Sequence, residues 1–247
     1  MKKQAKFFAV ALLCTAVMAS CSKSDMATPD VEEKIDVTFT LDTESSIQSR
    51  AISDGTGADQ LMFGVFDGDG NLILPKAVKN NVVGLTSTAG CKVTISLAKG
   101  HTYKVAFWAQ DADCTAYTVS DDMEVSIDYT GINNDESRDA FFATTEAFTV
   151  EHSTTVSVTL KRPFAQVNVG AFPFDYEQAK KLGVDVNQSS ATIKGVANTL
   201  NVFDGSVSGE QDITYSLNTL PNEDLLVDVD DDKIDEIYVW LSMSYLL

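Results

Sequence analysis

The chain has 247 residues, 44% of them hydrophobic, and a net charge of −18. That length accommodates one large or two ordinary domains with a sizeable buried core. The acidity excludes a general nucleic-acid binder, which needs a cationic surface against the phosphates, and suits a well-solvated exported protein.

Met1-Lys2-Lys3-Gln4-Ala5-Lys6 is a basic start, and Phe7 to Val17 is an apolar run of 11 residues. Such a run is too short for a bilayer core of ~30 Å, which needs about 20 apolar residues, and has the length of a secretory signal's apolar region. It ends in Val17-Met18-Ala19-Ser20-Cys21, small residues directly before a cysteine. This resembles a bacterial lipobox, which implies removal of residues 1–20, lipid on Cys21, and a chain anchored to a membrane rather than spanning it. The alternative is an ordinary signal peptide cut near Ala19, with Cys21 a bystander. Loss of Lys2, Lys3 and Lys6 with the signal takes the charge to −21. Residues 21–34 have few apolar side chains and no period, and read as a tether.

Ile35-Asp36-Val37-Thr38-Phe39-Thr40-Leu41 alternates, which predicts a strand with Ile35, Val37, Phe39 and Leu41 inward. The polar segment Asp42 to Gly57 follows, with Arg50–Ala51 in its middle. An arginine in such a loop is open to a trypsin-like protease. Leu61 to Phe66 and Leu72 to Leu74 are predicted to pair across Asp67-Gly68-Asp69-Gly70-Asn71. Those five residues imitate the start of a calcium loop, but Leu72 stands where glycine should be and Val78 where the bidentate Glu should be, so a turn is expected. Lys92 to Leu97 and Tyr103 to Ala109 form a second hairpin, and Val125 with Ile127 a further strand. Cys91 and Cys114 allow one disulfide in an exported protein, or two buried free thiols.

Arg138 to Ala143 and Ala147 to Val150 lead into Thr154–Phe172, where Val156, Val158 and Leu160 alternate with polar residues. A second alternating run, Phe164 to Val169, starts directly after Pro163, which has no N–H to donate to a ladder and so marks a bend or edge. Lys161 and Arg162 read as solvated edge charges. Seven or eight short strands between Ile35 and Leu160 are the signature of an antiparallel β-sandwich. The predicted organisation is a first sandwich over 35–162 and a second β domain over 163–247.

In that second part, Asp175 to Leu182 is the best helix candidate, with Asp175 as its cap. Strands are expected at Ser190–Val196, Thr199–Phe203 and Ile213–Leu217. Asp228-Val229-Asp230-Asp231-Asp232-Lys233 reads as a solvated acidic loop rather than a calcium site, because Lys233 occupies the glycine position. Ile237 to Leu247 is strongly apolar, so it is either central and paired on both edges or followed by further strands that the sequence as given lacks. The second alternative, a truncated domain, is the expectation. His101 and His152 are the only imidazoles. Neither has the neighbours of a metal site, and no nucleophile or phosphate-loop motif is present, so no enzyme activity and no cofactor or metal are expected.

The lipobox, the first strand, the Arg50–Ala51 loop and Val158-Thr159-Leu160-Lys161-Arg162-Pro163-Phe164-Ala165-Gln166-Val167 together resemble the fimbrillin-like lipoproteins of Bacteroidetes, subunits of the type V pilus. Trp240-Leu241-Ser242-Met243-Ser244-Tyr245 resembles a strand of that family's second domain. The resemblance implies an all-β fold of two Greek-key (transthyretin-like) sandwiches in tandem, the second incomplete, with one short helix. It further implies export as a lipoprotein to the outer membrane and cell surface, and a cut after Arg50 by an arginine-specific protease. The strand carrying Ile35, Val37, Phe39 and Leu41 would leave, and another subunit would insert a strand from its C-terminal region. A surface lipoprotein that binds a glycan or host protein without polymerising is the alternative.

Overall fold

The computed structural model describes residues 32–43, 56–83, 85, 90–130, 135–217, 219–230 and 232–247. Cys21, the signal peptide, the tether up to residue 31, and the loop 44–55 with Arg50 and Ala51 lie outside the described residues.

Alternating or continuous apolar runs separated by polar turns give ten strands among the described residues before Pro163: β1 (Lys34–Thr43), β2 (Gln60–Asp67), β3 (Leu72–Lys79), β4 (Cys91–Ala98), β5 (Thr102–Gln110), β6 (Tyr117–Val119), β7 (Glu124–Ile127), β8 (Ala140–Thr144), β9 (Phe148–Thr149) and β10 (Thr154–Leu160). After it come β11 (Ala165–Ala171), the helix α1 (Pro173–Lys181), β12 (Ser189–Val196), β13 (Thr199–Asn201), β14 (Val207–Ser208), β15 (Gln211–Leu217), β16 (Asp224–Val227) and β17 (Glu236–Leu246). The fold is all-β, as expected, with one short α-helix among the described residues. Residues Glu33–Leu247 form one compact unit.

Three layers hold the first part together. The outer sheet has the order β10-β1-β4, and the middle one β3-β2-β5-β8 with β9 also on β5. Between them lies one core cluster, with Val37, Phe39 and Leu41 facing Leu61, Val65, Val105 and Phe107. The opposite face of the middle sheet, through Met62, Phe66, Ala106, Trp108 and Phe142, enters a second cluster. Burial on both faces explains why Val105-Ala106-Phe107-Trp108-Ala109 is continuously apolar instead of alternating. Gly64 permits this closeness, since a Cβ there would lie 2.7 Å from Cγ of the buried Met123.

The second cluster also contains Val196, Leu200, Ile213, Tyr215, Met243 and Tyr245, so residues on both sides of Pro163 share one core. The third sheet, β14-β13-β7-β6, joins them further, with Leu200 opposite Val125.

Two details differ from the sequence reading. The pair β1–β10 is parallel, running from Val37 opposite Thr154 to Thr43 opposite Leu160, whereas β1–β4 is antiparallel. The helix starts at Pro173 rather than Asp175, with Phe172 at the cap and no side-chain cap bond, because proline preset at the first turn replaces a polar cap. Strand β17 is the middle strand of β11-β17-β16, with β16 pairing along Glu236–Val239 and β11 along Val239–Leu246. The Asp67–Asn71 segment is a turn: one Asp67 oxygen accepts the amides of Asp69 and Asn71 at 2.9 and 2.8 Å, and the other accepts the Asn71 side-chain amide at 2.9 Å. These bonds favour the charged carboxylate and lower its pKa.

Candidate functional site: the β1 groove and the Pro163 joint

The period-2 pattern of β1 sends Val37, Phe39 and Leu41 inward, where each is 0% exposed, and Ile35 packs against the same cluster while partly buried. The four predicted inward residues therefore share one face. Cross-strand neighbours on β4 are Ile95 for Val37, Val93 for Phe39 and Cys91 for Leu41. On β10, Val156 lies opposite Phe39 and Val158 opposite Leu41. The Phe39 ring packs 5.4 Å from Phe107, tilted, and 5.8 Å from Phe148, edge-on, both favoured aromatic arrangements.

The outward face of β1 is polar and bonded to β4: Thr38 and Thr94 hydroxyls meet at 3.1 Å, and the Ser96 hydroxyl donates to Asp36. Each end is held separately. At the start, the Lys99 amide donates to the Glu33 carbonyl at 2.8 Å, and the Lys99 ammonium meets the Glu33 carboxylate at 2.9 Å. That carboxylate raises the Lys99 pKa, but the pair is exposed, so it adds little stability. At the far end, the Thr43 amide donates to the Leu85 carbonyl at 3.0 Å. Gly90, at φ +64°, presses against the strand: a Cβ there would lie 2.8 Å from the Leu41 carbonyl oxygen and 3.0 Å from Thr40 Cγ2.

Because β1 lies between β4 and β10, its loss would uncover one edge of each and a trough lined by the partners of Val37, Phe39 and Leu41. Burial of side chains this size is worth about 1.5–3 kcal/mol each. An empty trough is therefore unstable, and its two edges offer the main-chain groups that an added strand pairs with.

The Leu160–Ala165 string is a rivet. Lys161 exchanges amide–carbonyl bonds with Phe142 at 2.9 and 3.0 Å. Arg162 grips Asp139 through two parallel bonds, Nε to Oδ1 at 2.8 Å and Nη2 to Oδ2 at 2.9 Å. The side chains are 17% and 5% exposed, respectively. The Arg162 guanidinium also sits 4.8 Å over the Phe141 ring, and the Lys161 ammonium 5.1 Å over Phe142. Both were expected as solvated edge charges: the Lys161 side chain is exposed, as expected, whereas Arg162 instead fastens the joint to the start of β8, because a ring and a buried carboxylate lie beneath it. Phe164 completes the joint, stacked on Tyr117 at 5.4 Å and edge-on to Trp108 at 6.2 Å.

Comparison with known families sets this geometry in context. The model of a family of unknown function, DUF6562, matches residues 28–247. The chain belongs to the DUF6562 family. It matches none of the curated proteins. Among solved structures, it is similar to a DUF1812 protein of Bacteroides thetaiotaomicron provisionally described as polysaccharide-binding. The two share 15% identity and a TM-score of 0.54, over 86% of this chain and 71% of that one. It is also similar to the fimbrial anchor protein Mfa2 of Porphyromonas gingivalis, at 16% identity and TM-score 0.47, covering 85% of this chain and 72% of that one. A fimbrial assembly protein of Parabacteroides distasonis matches at 11% identity and TM-score 0.41, over 86% and 88% of the respective chains.

Elsewhere in this DUF6562 chain, Cys91 and Cys114 are both buried and free, and burial pushes both thiols up in pKa. Asp228, Asp230 and Asp232 bring carboxylate oxygens within 4.8 Å of one another. Asp228 accepts the loop's own amides, from Asp232 at 3.2 Å and Lys233 at 2.7 Å. His101 lies in the turn before β5 and His152 in the bend before β10, both exposed. Sequence reasoning missed Asp139, Phe107 and Phe148 as functional partners. Only the tandem of charged and aromatic residues at 138–142 hinted at the first.

Proposed function

We propose that this DUF6562 protein is a structural subunit, or an accessory anchor or tip protein, of a cell-surface type V pilus. Export as a lipoprotein on Cys21 brings it to the outer membrane. An arginine-specific protease cuts between Arg50 and Ala51, and β1 departs with the lipid-bearing segment. A strand from a neighbouring subunit enters the vacated groove, which leads to a fimbrium held by main-chain bonds. The observation that carries this reading is that β1, the strand directly before the Arg50 loop, is the middle strand of its sheet. The likeness of the Leu160–Ala165 string and the lipobox to the fimbrillin-like lipoproteins supports it.

Processing in the native host tests the proposal. Arg50→Ala is expected to keep the first strand covalently attached and to abolish incorporation into surface fibres, while Cys21→Ala abolishes lipid labelling. Normal fibres from the Arg50→Ala protein would overturn the cleavage step, and persistent lipid labelling of Cys21→Ala would overturn the anchor.

A second reading, a glycan-binding surface module, draws on two exposed rings near the helix start. Phe172 is 61% and Phe174 71% exposed, and Phe172 lies 5.3 Å from Tyr238, a pair of the kind on which a sugar face stacks. Calorimetric titration with surface polysaccharides checks it, with Phe172→Ser removing the heat if this reading holds.

A further inference from the structure

Phe39 is the one aromatic ring that β1 contributes to the groove, and it occupies the middle of a line of five: Phe63, Phe107, Phe39, Phe148 and Tyr103. Successive centroids are 6.2, 5.4, 5.8 and 6.5 Å apart. Phe63 belongs to β2, Phe107 and Tyr103 to β5, and Phe148 to β9. None of these four leaves with β1. A vacated groove therefore keeps a ring-sized gap between Phe107 and Phe148, with aliphatic sites on either side where Val37 and Leu41 rest against Ile95 and Cys91.

That arrangement discriminates between registers. A slip by one residue turns every inward side chain outward. A slip by two keeps the faces but drops an aliphatic side chain into the ring gap and forces the ring into an aliphatic site, so one end is left with a cavity and the other overpacked. Gly90 allows the strand backbone to pass close at the Leu41 position, so the chain cannot bulge there to absorb the misfit.

We infer that the groove selects its incoming strand by a single aromatic ring placed at the Phe39 position between two aliphatic residues. The partner is thus an extended polypeptide segment with the order aliphatic–x–aromatic–x–aliphatic, running parallel to β10 and antiparallel to β4. This specificity rests on the strand-release reading of the same groove.

Labelled ten-residue peptides reproducing Lys34–Thr43 test it on full-length protein cut by an arginine-specific protease, with incorporation read by fluorescence anisotropy. The parental peptide is expected to exchange into the groove. Its Phe39→Ala form should bind about 100-fold more weakly, the usual consequence of removing a large core aromatic. A peptide of identical composition, carrying Val37→Phe with Phe39→Val, should lose at least about tenfold. Equal binding of the parental and position-exchanged peptides overturns the aromatic code while leaving strand release intact. No incorporation of even the parental peptide overturns the groove reading and the code with it.

Discussion

Replacing Arg162 by Met removes both donors that reach the Asp139 carboxylate, at 2.8 and 2.9 Å. Asp139 is only 5% exposed, so its charge would remain in a largely desolvated site without that partner. Removing one member of a buried pair costs about 3–5 kcal/mol. Arg162 itself is 17% exposed, which places the expected loss near the lower end, about 3 kcal/mol. Loss of the guanidinium above Phe141 adds about 0.5–1 kcal/mol. The double variant Arg162→Met with Asp139→Leu should recover much of this, because an apolar pair of similar volume leaves no stranded charge. Urea unfolding is the assay, with a shifted midpoint at unchanged slope as the signature of lost stability. A loss below about 1 kcal/mol for Arg162→Met would refute the reasoning, since that is the behaviour of a solvated surface pair.

Further outcomes follow from the same structure. Phe39→Ala in the full chain should cost about 3–5 kcal/mol in urea unfolding, whereas Thr38→Ala, which removes one hydroxyl contact on the polar face of β1, should cost about 1 kcal/mol or less. Gly90→Ala combines left-handed strain of about 1–2 kcal/mol with a clash against the Leu41 carbonyl, and should speed release of β1 after cleavage. Gly100→Ala, at φ +80° with nothing within 4 Å, carries the strain alone and should leave that release rate unchanged. Burial raises the pKa of Tyr117, Tyr129 and Tyr245, and pushes Tyr215 up to about 12. The folded state thus holds protons that the unfolded chain releases near pH 10, so stability is intact below about pH 10 and falls as pH rises toward about 12. In a variant with Tyr103, Tyr176 and Tyr238 replaced by Phe, tyrosinate absorbance should then rise together with loss of secondary structure; a rise that precedes unfolding in that variant would contradict it.

The strands were legible wherever a period of two survived. In β1, β4 and β10 one face meets the core and the other meets water, so the alternation by itself assigns Val37, Phe39 and Leu41 inward. The three-layer arrangement was not legible, because burial on both faces of β5 leaves a continuous apolar run that fits several architectures. Strands β6, β9 and β14 are only two or three residues long, which is below the length at which alternation carries information. Parallel pairing of β1 with β10 joins residues more than a hundred positions apart, and no local signal encodes it. Arg162 shows the general limit: its string reads as polar and exposed, and only the fold reveals Asp139 and Phe141 beneath it. For the groove, the inward residues were readable from β1 itself. The ring line that makes Phe39 specific was not, because its other members come from three different strands.

The departure of β1 is the step on which the account depends, and native mass spectrometry of the cut protein in the presence of a strand-donating subunit measures it most directly. The account predicts one cut between Arg50 and Ala51, loss of the fragment ending at Arg50, and a non-covalent complex in which the donor strand replaces it. A cut protein that keeps its first strand and stays monomeric with donor in excess would contradict it.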